Sequence, residues 1–231
     1  MTVAIRAILV GTVSPLGPRG VASGIDKHAV SGPVAVRIDG LAGDEQGDRK
    51  HHGGPEKAIH HYPFDHYAAW RRNHPDIAWR LGAEGAFGEN LSTLGMTEDD
   101  VCIGDVYRLG TALMEVSQGR QPCWRLNERF ANRGMARHVQ ESGRTGWYYR
   151  VLEEGAVSAG DVIVLQDRPA GTMSLGRIAE ILYRKTLDVD ALSALAELPR
   201  LSESWRTLAR RRLASMNVED WSHRLTTPLE A

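Results

Sequence analysis

A chain of 231 residues, 42% hydrophobic and 25% charged, has the composition of an ordinary globular protein with room for one large domain or a main domain and a smaller appendage. The net charge of -1 leaves no global basic field for nucleic-acid binding, and two cysteines, Cys102 and Cys123, are too few for a disulfide framework. No stretch reaches the length of a membrane span, so no membrane association is expected and the chain reads as cytoplasmic.

Residues 1–10 form a short apolar run broken by Arg6 and lacking a cleavage pattern, which predicts a strand rather than a signal peptide. Val34, Val36 and Ile38 alternate ahead of Asp39-Gly40 and predict a half-buried strand. Residues 43–58 are polar and glycine-rich, either a solvated loop or a binding loop whose glycines let backbone amides approach a ligand. A helix is predicted from near Pro63, carrying Phe64, Tyr67 and Trp70, and residues 85–93 form a second turn-rich segment. Ala112, Met114 and Val116 predict a strand that runs into the segment Gln118-Gly119-Arg120-Gln121-Pro122-Cys123-Trp124-Arg125-Leu126-Asn127.

Cys123 is the most informative residue of the chain. Arg120 and Arg125 lie on either side of it, and a cationic setting favours the thiolate, which acts as nucleophile or soft-metal ligand. Pro122 removes a backbone donor and fixes φ, so the thiol is expected on a kinked loop. The competing reading is a buried cysteine serving as a small apolar residue, which is also the reading of Cys102.

Further along, a helix is predicted over residues 135–141, closing at Ser142-Gly143, and Val162 and Val164 alternate as a half-buried strand. After Pro169-Ala170-Gly171 the texture becomes helical. Ile178, Ile181 and Leu182 form one stripe, Val189, Leu192, Leu195 and Ala196 a second, and Trp205, Leu208, Ala209 and Leu213 a third, with Ser202 as N-cap. Trp221 and Leu225 fit a last turn. The expected organisation is a β-rich domain over residues 1–168 and a three-helix domain over residues 172–231.

Five histidines, His51, His52, His60, His61 and His66, raise the question of zinc. Adjacent pairs are not the i, i+4 arrangement of a helical zinc site, and in an extended segment neighbours point to opposite faces. Asp44, Glu45 and Asp48 form a carboxylate cluster that coordinates a ligand, exchanges protons or, as is usual for a charge cluster on a loop, is solvated, and Arg210-Arg211-Arg212 reads as a solvated helix face.

Taken together, Ser23-Gly24-Ile25-Asp26-Lys27, Gly43-Asp44-Glu45-Gln46, His52-Gly53-Gly54-Pro55-Glu56-Lys57-Ala58, Phe87-Gly88-Glu89-Asn90-Leu91, Pro122-Cys123 with Leu126-Asn127, and Gly146-Trp147-Tyr148 stand in an order that resembles MOSC-domain proteins of the YiiM type. The resemblance covers nearly the whole chain. It implies a mainly β fold with α elements: a distorted β-barrel followed by a small three-helix C-terminal domain. It also implies a molybdenum cofactor (Mo-molybdopterin) with Cys123 as protein ligand to molybdenum. On that reading Gln46 and Asn90 meet the pterin, Lys27, Lys57 and Arg120 are the cations for its phosphate, and His52 or Asp44 supplies protons. The implied activity is reduction of N-hydroxylated compounds of the hydroxylaminopurine type, fed with electrons by a separate flavoprotein reductase. A sulfur carrier holding a persulfide on Cys123 and a non-catalytic cofactor-binding module are the alternatives. Oligomeric state is left open, a homodimer being one option.

Overall fold

Nine residues of alternating and then continuous apolar character, Thr2–Val10 (β1), form the strand on which the fold closes. The computed structural model describes residues 2–48, 53–184 and 187–228. Short strands follow at Ser14–Leu16 (β2), Val21–Ser23 (β3), His28–Ala29 (β4), Val34–Arg37 (β5) and Gly40–Leu41 (β6). Then come Ile59–Pro63 (β7), the helix Asp65–Asn73 (α1), Leu91–Thr93 (β8), Val106–Leu109 (β9) and Ala112–Gly119 (β10). Two helices, Arg125–Phe130 (α2) and Met135–Ser142 (α3), precede Trp147–Glu153 (β11), Gly155–Val157 (β12) and Val162–Asp167 (β13). The chain continues as Leu175–Tyr183 (α4), Val189–Ala196 (α5), Glu203–Ser215 (α6) and a last turn, Ser222–Leu225 (α7).

Seven strands run in the order β13-β9-β10-β11-β7-β8-β1, and β1 pairs back onto β13, so the sheet closes into a barrel. Closure leaves no open edge among these strands, the usual solution to unpaired strand edges. The β7–β8 pair is parallel, with Tyr62 opposite Ser92, and α1 lies in the crossover that a parallel pair needs. Among the described residues no helix is long and apolar enough to cross a membrane.

Apolar burial divides into two clusters. The first fills the barrel with Ile5, Ile8, Tyr107, Leu109, Met114, Val116 and Tyr149, and continues without a break into Leu175, Ile178, Leu182, Leu192, Leu195 and Trp205 of the helical tail. The second gathers Tyr62, Tyr67, Trp70, Phe87, Phe130, Met135 and Val139 around α1–α3 and takes in Leu225 of α7. The tail therefore completes both cores.

Several expectations change in detail. In β13 it is Ile163, 1% exposed, that faces the core, while Val162 (43%) and Val164 (39%) face out; a strand apolar at four successive positions satisfies either phase, and the pairing with β9 and β1 selects one. Ile38 lies beyond the end of β5 and is exposed. Helix α2 was not foreseen, because Pro122 and the thiol drew the segment into a loop reading. Ser202 occupies the N-cap of α6, but its hydroxyl meets Ser204 Oγ at 3.1 Å instead of capping a backbone amide. Gly143 closes α3 as expected, in the left-handed conformation at φ 72°.

Candidate functional site

Where β10 ends, the chain leaves the barrel wall and crosses to α2, and this crossing carries Cys123 along one side of a polar cleft. The polar loop supplies Asp44, Gln46 and Asp48, the turn Pro55–Lys57 supplies Lys57, β7 supplies His60 and β11 supplies Tyr148. Lys27, Asn90, Arg120 and Arg125 complete the polar lining. Two glycines allow the walls to approach. A Cβ on Gly24 would fall 1.9 Å from the Glu45 carbonyl oxygen, and one on Gly88 (φ 73°) would fall 2.6 Å from Ile25 Cγ1.

One wall is closed upon itself. Lys27 Nζ donates to Asp44 Oδ1, both side chains being almost fully buried. The Gly11 amide donates to the same oxygen at 3.0 Å, and Asn90 Nδ2 donates to Asp44 Oδ2 at 2.9 Å. Asn90 Nδ2 also donates to the Leu9 carbonyl at 3.1 Å, and Asn90 Oδ1 accepts from the His60 amide at 3.0 Å. Burial lowers the Lys27 pKa, and Asp44 and Glu89 pull against that shift. Asn90 thus spends both its donors on the protein, and Asp44 orients Lys27 and Asn90 together.

A second wall is different. His60 Nδ1 donates to the Gly88 carbonyl at 3.2 Å; a carbonyl only accepts, so the ring proton is assigned to Nδ1 and Nε2 keeps a lone pair. His60 Nε2 and Arg120 Nη1 are buried and have no hydrogen-bond partner among the described residues. Burial holds the His60 pKa well below its ordinary value, the Arg120 charge adds to the shift, and the Gly88 hydrogen bond opposes it, so the imidazole is neutral. The Tyr148 ring lies 5.1 Å from the His60 ring. Burial raises the Tyr148 pKa; Arg120 pulls it down and Cys123 pushes it up, and the phenol keeps its proton. Lys57 is lowered by burial against the opposing charges of Cys123 and Asp48. Arg125 also reaches Asp48 at 3.6 Å, and the guanidinium groups of Arg19 and Arg125 lie 4.8 and 5.1 Å from the Trp124 ring centre.

Lys27, Asp44, Gln46, Lys57, Asn90, Arg120 and Cys123, each singled out from sequence, line this one cleft. His52 lies outside the described residues. His60 and Tyr148 were missed as site residues: the first stood in a histidine pair weighed for zinc, the second in a quoted motif with no role attached. His61, its neighbour on β7, points the other way, into the barrel, with Nδ1 3.0 Å from Tyr149 Oη and Nε2 2.8 Å from Thr93 Oγ1. Among the described residues no three of His, Cys, Asp and Glu converge as a metal cage.

The helical tail reaches the same strand from behind. The Ser202 amide donates to the Ser117 carbonyl at 3.0 Å, and Tyr183 Oη donates to the Arg120 carbonyl at 3.1 Å. Trp205 packs so closely that a Cβ on Gly119 would lie 2.9 Å from its ring.

The donor set suits a soft metal together with an anion: a thiol, several cations, and a buried donor and acceptor with no partner among the described residues. Residues 48–164 match the MOSC domain, and residues 173–215 match the YiiM-like, 3-alpha helix domain. Protein YiiM of Escherichia coli (strain K12) is 42% identical over 209 residues, 90% of this chain and 92% of that protein. The crystal structure of YiiM from Escherichia coli aligns with a TM-score of 0.79 and 36% identity, over 94% of this chain and 100% of that one. A protein named Reductase from Gibberella moniliformis (strain M3125 / FGSC 7600) is 37% identical over 196 residues, which are 84% of this chain and 34% of that protein.

Proposed function

We propose, for a chain that belongs to the MOSC-domain family and carries the YiiM-like 3-alpha helix domain, that it is a molybdenum-cofactor-dependent reductase of N-hydroxylated compounds. One observation carries the reading: the Cys123 thiol shares a single cleft with Lys27, Lys57, Arg120 and Arg125 and with two buried polar atoms that lack partners among the described residues. The relative named Reductase supports the reaction class, although this chain spans about a third of that protein.

In this reading Cys123 would ligate molybdenum, since a soft thiolate suits a metal held by dithiolene sulfurs. Lys57 and Arg120 would meet the anionic end of the cofactor, Arg120 with Nη1, which has no partner among the described residues. Lys27 adds charge behind them but is already paired with Asp44. Gln46 would read the pterin edge, while Asn90 positions the His60 backbone instead of touching a ligand with its donors. The cofactor, when bound, supplies a two-electron redox centre. The net reaction is R–NHOH plus two electrons and two protons giving R–NH2 and water, with electrons from a separate flavoprotein reductase. Tyr148, protonated and beside Cys123 and Arg120, offers a proton to the cleft, whereas Asp44 is held in its ion pair.

The test is molybdenum and pterin content per chain, for wild type and Cys123→Ala from a cofactor-producing host, followed by reduction of a hydroxylaminopurine with a flavoprotein donor. Near-stoichiometric metal in the wild type, lost in the variant together with reductase activity, is the expected result. A wild-type protein that takes up neither metal nor pterin would overturn it, and a persulfide mass shift at Cys123 would then favour sulfur transfer.

A further inference from the structure

The turn α7 lies at residues 222–225, after both matched regions, which end at 164 and 215, yet it touches the thiol loop on each side of the cysteine. The Arg224 carbonyl accepts from the Trp124 amide at 2.8 Å. The Arg224 guanidinium donates through Nη1 to the Pro122 carbonyl and through Nη2 to Gln140 Oε1 on α3. Pro122 and Trp124 are the two residues that flank Cys123. One residue therefore grips the loop at both neighbours of the thiol, by its main chain on one side and its side chain on the other.

The grip is anchored. Leu225 is 3% exposed within the second apolar cluster, and its carbonyl accepts from Asn127 Nδ2 at 2.9 Å, which fixes α7 to the first turn of α2. Asn127 Nδ2 also reaches Thr227 Oγ1 at 3.3 Å. Upstream, Glu219 joins Arg212 at 2.7 Å and Trp221 Nε1 at 2.6 Å, so the approach to the turn is tied to α6. Gln140 is itself buried, and its amide oxygen gives the guanidinium a second fixed point. A planar fork held between two rigid acceptors is a task for arginine; a lysine point donor reaches one acceptor at a time. The Arg224 pKa is lowered by burial, and Tyr183, Cys123 and Glu219 oppose that shift, in keeping with a cation close to the thiol.

We propose that Arg224 is a positioning residue for Cys123, clamping the loop at Pro122 and Trp124 and so setting where the sulfur sits in the cleft. The inference rests on Cys123 carrying the chemistry, but its test needs no molybdenum. Wild type, Arg224→Lys and Arg224→Ala are treated with iodoacetamide near pH 9.5, where accessible thiols are largely ionised, and the rates at Cys123 and Cys102 are followed in the same samples by peptide mass spectrometry. Cys102 is the internal standard for general loosening. In Arg224→Ala, Cys123 is expected to react at least about tenfold faster while Cys102 changes by less than about twofold, with Arg224→Lys in between. Circular dichroism verifies that each variant is folded; should Arg224→Ala not fold, Arg224→Lys carries the test with a smaller selective increase. Unchanged Cys123 reactivity, or equal acceleration of both thiols, overturns the proposal. A selective effect in Arg224→Ala, together with a wild-type protein that never loads molybdenum, would leave the clamp standing and remove the reductase reading.

Discussion

The two walls of the cleft are built from similar residues and behave differently. On the Lys27–Asp44–Asn90 wall a cation, a carboxylate and an amide bond to one another and to the backbone of Leu9, Gly11 and His60. On the second wall His60 Nε2 and Arg120 Nη1 are just as dry and have no hydrogen-bond partner among the described residues. A buried polar group without a partner costs about 1–3 kcal/mol, more when charged. A fold that satisfies one wall and leaves the other short of partners separates a frame from a receiving surface. Polarity and burial alone would not distinguish them.

The largest effect should come from the receiving wall. Cys123→Ala is expected to abolish molybdenum retention and reductase activity while costing no more than about 1 kcal/mol in denaturant unfolding, because a small, nearly buried side chain is shortened by one atom. Large stability loss in that variant would blur the distinction between the walls. On the frame, Asp44→Ala leaves Lys27 buried without its carboxylate and takes an acceptor from Asn90, with an expected loss of about 3–5 kcal/mol in chemical denaturation. The double variant Lys27→Met/Asp44→Leu should recover most of it, since an apolar pair of similar volume carries no stranded charge.

A pH titration reports on the barrel behind both walls. The His61 pKa is lowered by burial to about 3, from 6.5. The unfolded chain therefore binds a proton below pH 6.5 that the folded chain refuses until about pH 3, so His61 favours the folded state above pH 6.5 and that contribution is lost as pH falls. Denaturant melts at falling pH should show a loss of about 2 kcal/mol by pH 5 from such a group, and His61→Gln should flatten that slope. A stability change as small as that of Cys123→Ala is expected for Arg120→Met. The substitution removes the Nη1 donor, which has no partner among the described residues, and one hydrogen bond to Tyr148, so unfolding should change by only about 1 kcal/mol while molybdenum and pterin content fall. A melting loss comparable to that of Asp44→Ala would place Arg120 in the frame instead.

Much of the fold was legible because local pattern and tertiary demand agree. Ala112, Met114 and Val116 alternate and are buried, and the stripes of Ile178, Leu192 and Trp205 end up in the barrel's own cluster. Where residues 162–165 are all apolar, periodicity carries no phase, and only pairing with β1 and β9 decides it. Seven proposed site residues meet in one cleft because their ordered motifs resemble those of MOSC-domain proteins. The separate roles of Asn90 and Arg120 were not legible, since they depend on which bonds the fold has already used. Arg224 had no signal at all: nothing near it in sequence refers to Cys123.

That distance has a consequence for biosynthesis. The guanidinium and the Pro122 carbonyl it meets are 102 positions apart, and β10 also waits for Ser202 and Trp205. At the usual ribosomal pace of about 5–20 residues per second, the thiol loop is made about 5–20 s before its brace. During that interval a nascent chain has its cysteine but not the finished cleft around it. A stall between β11 and α7 therefore yields a chain with every cleft-lining side chain made and no finished place to use them.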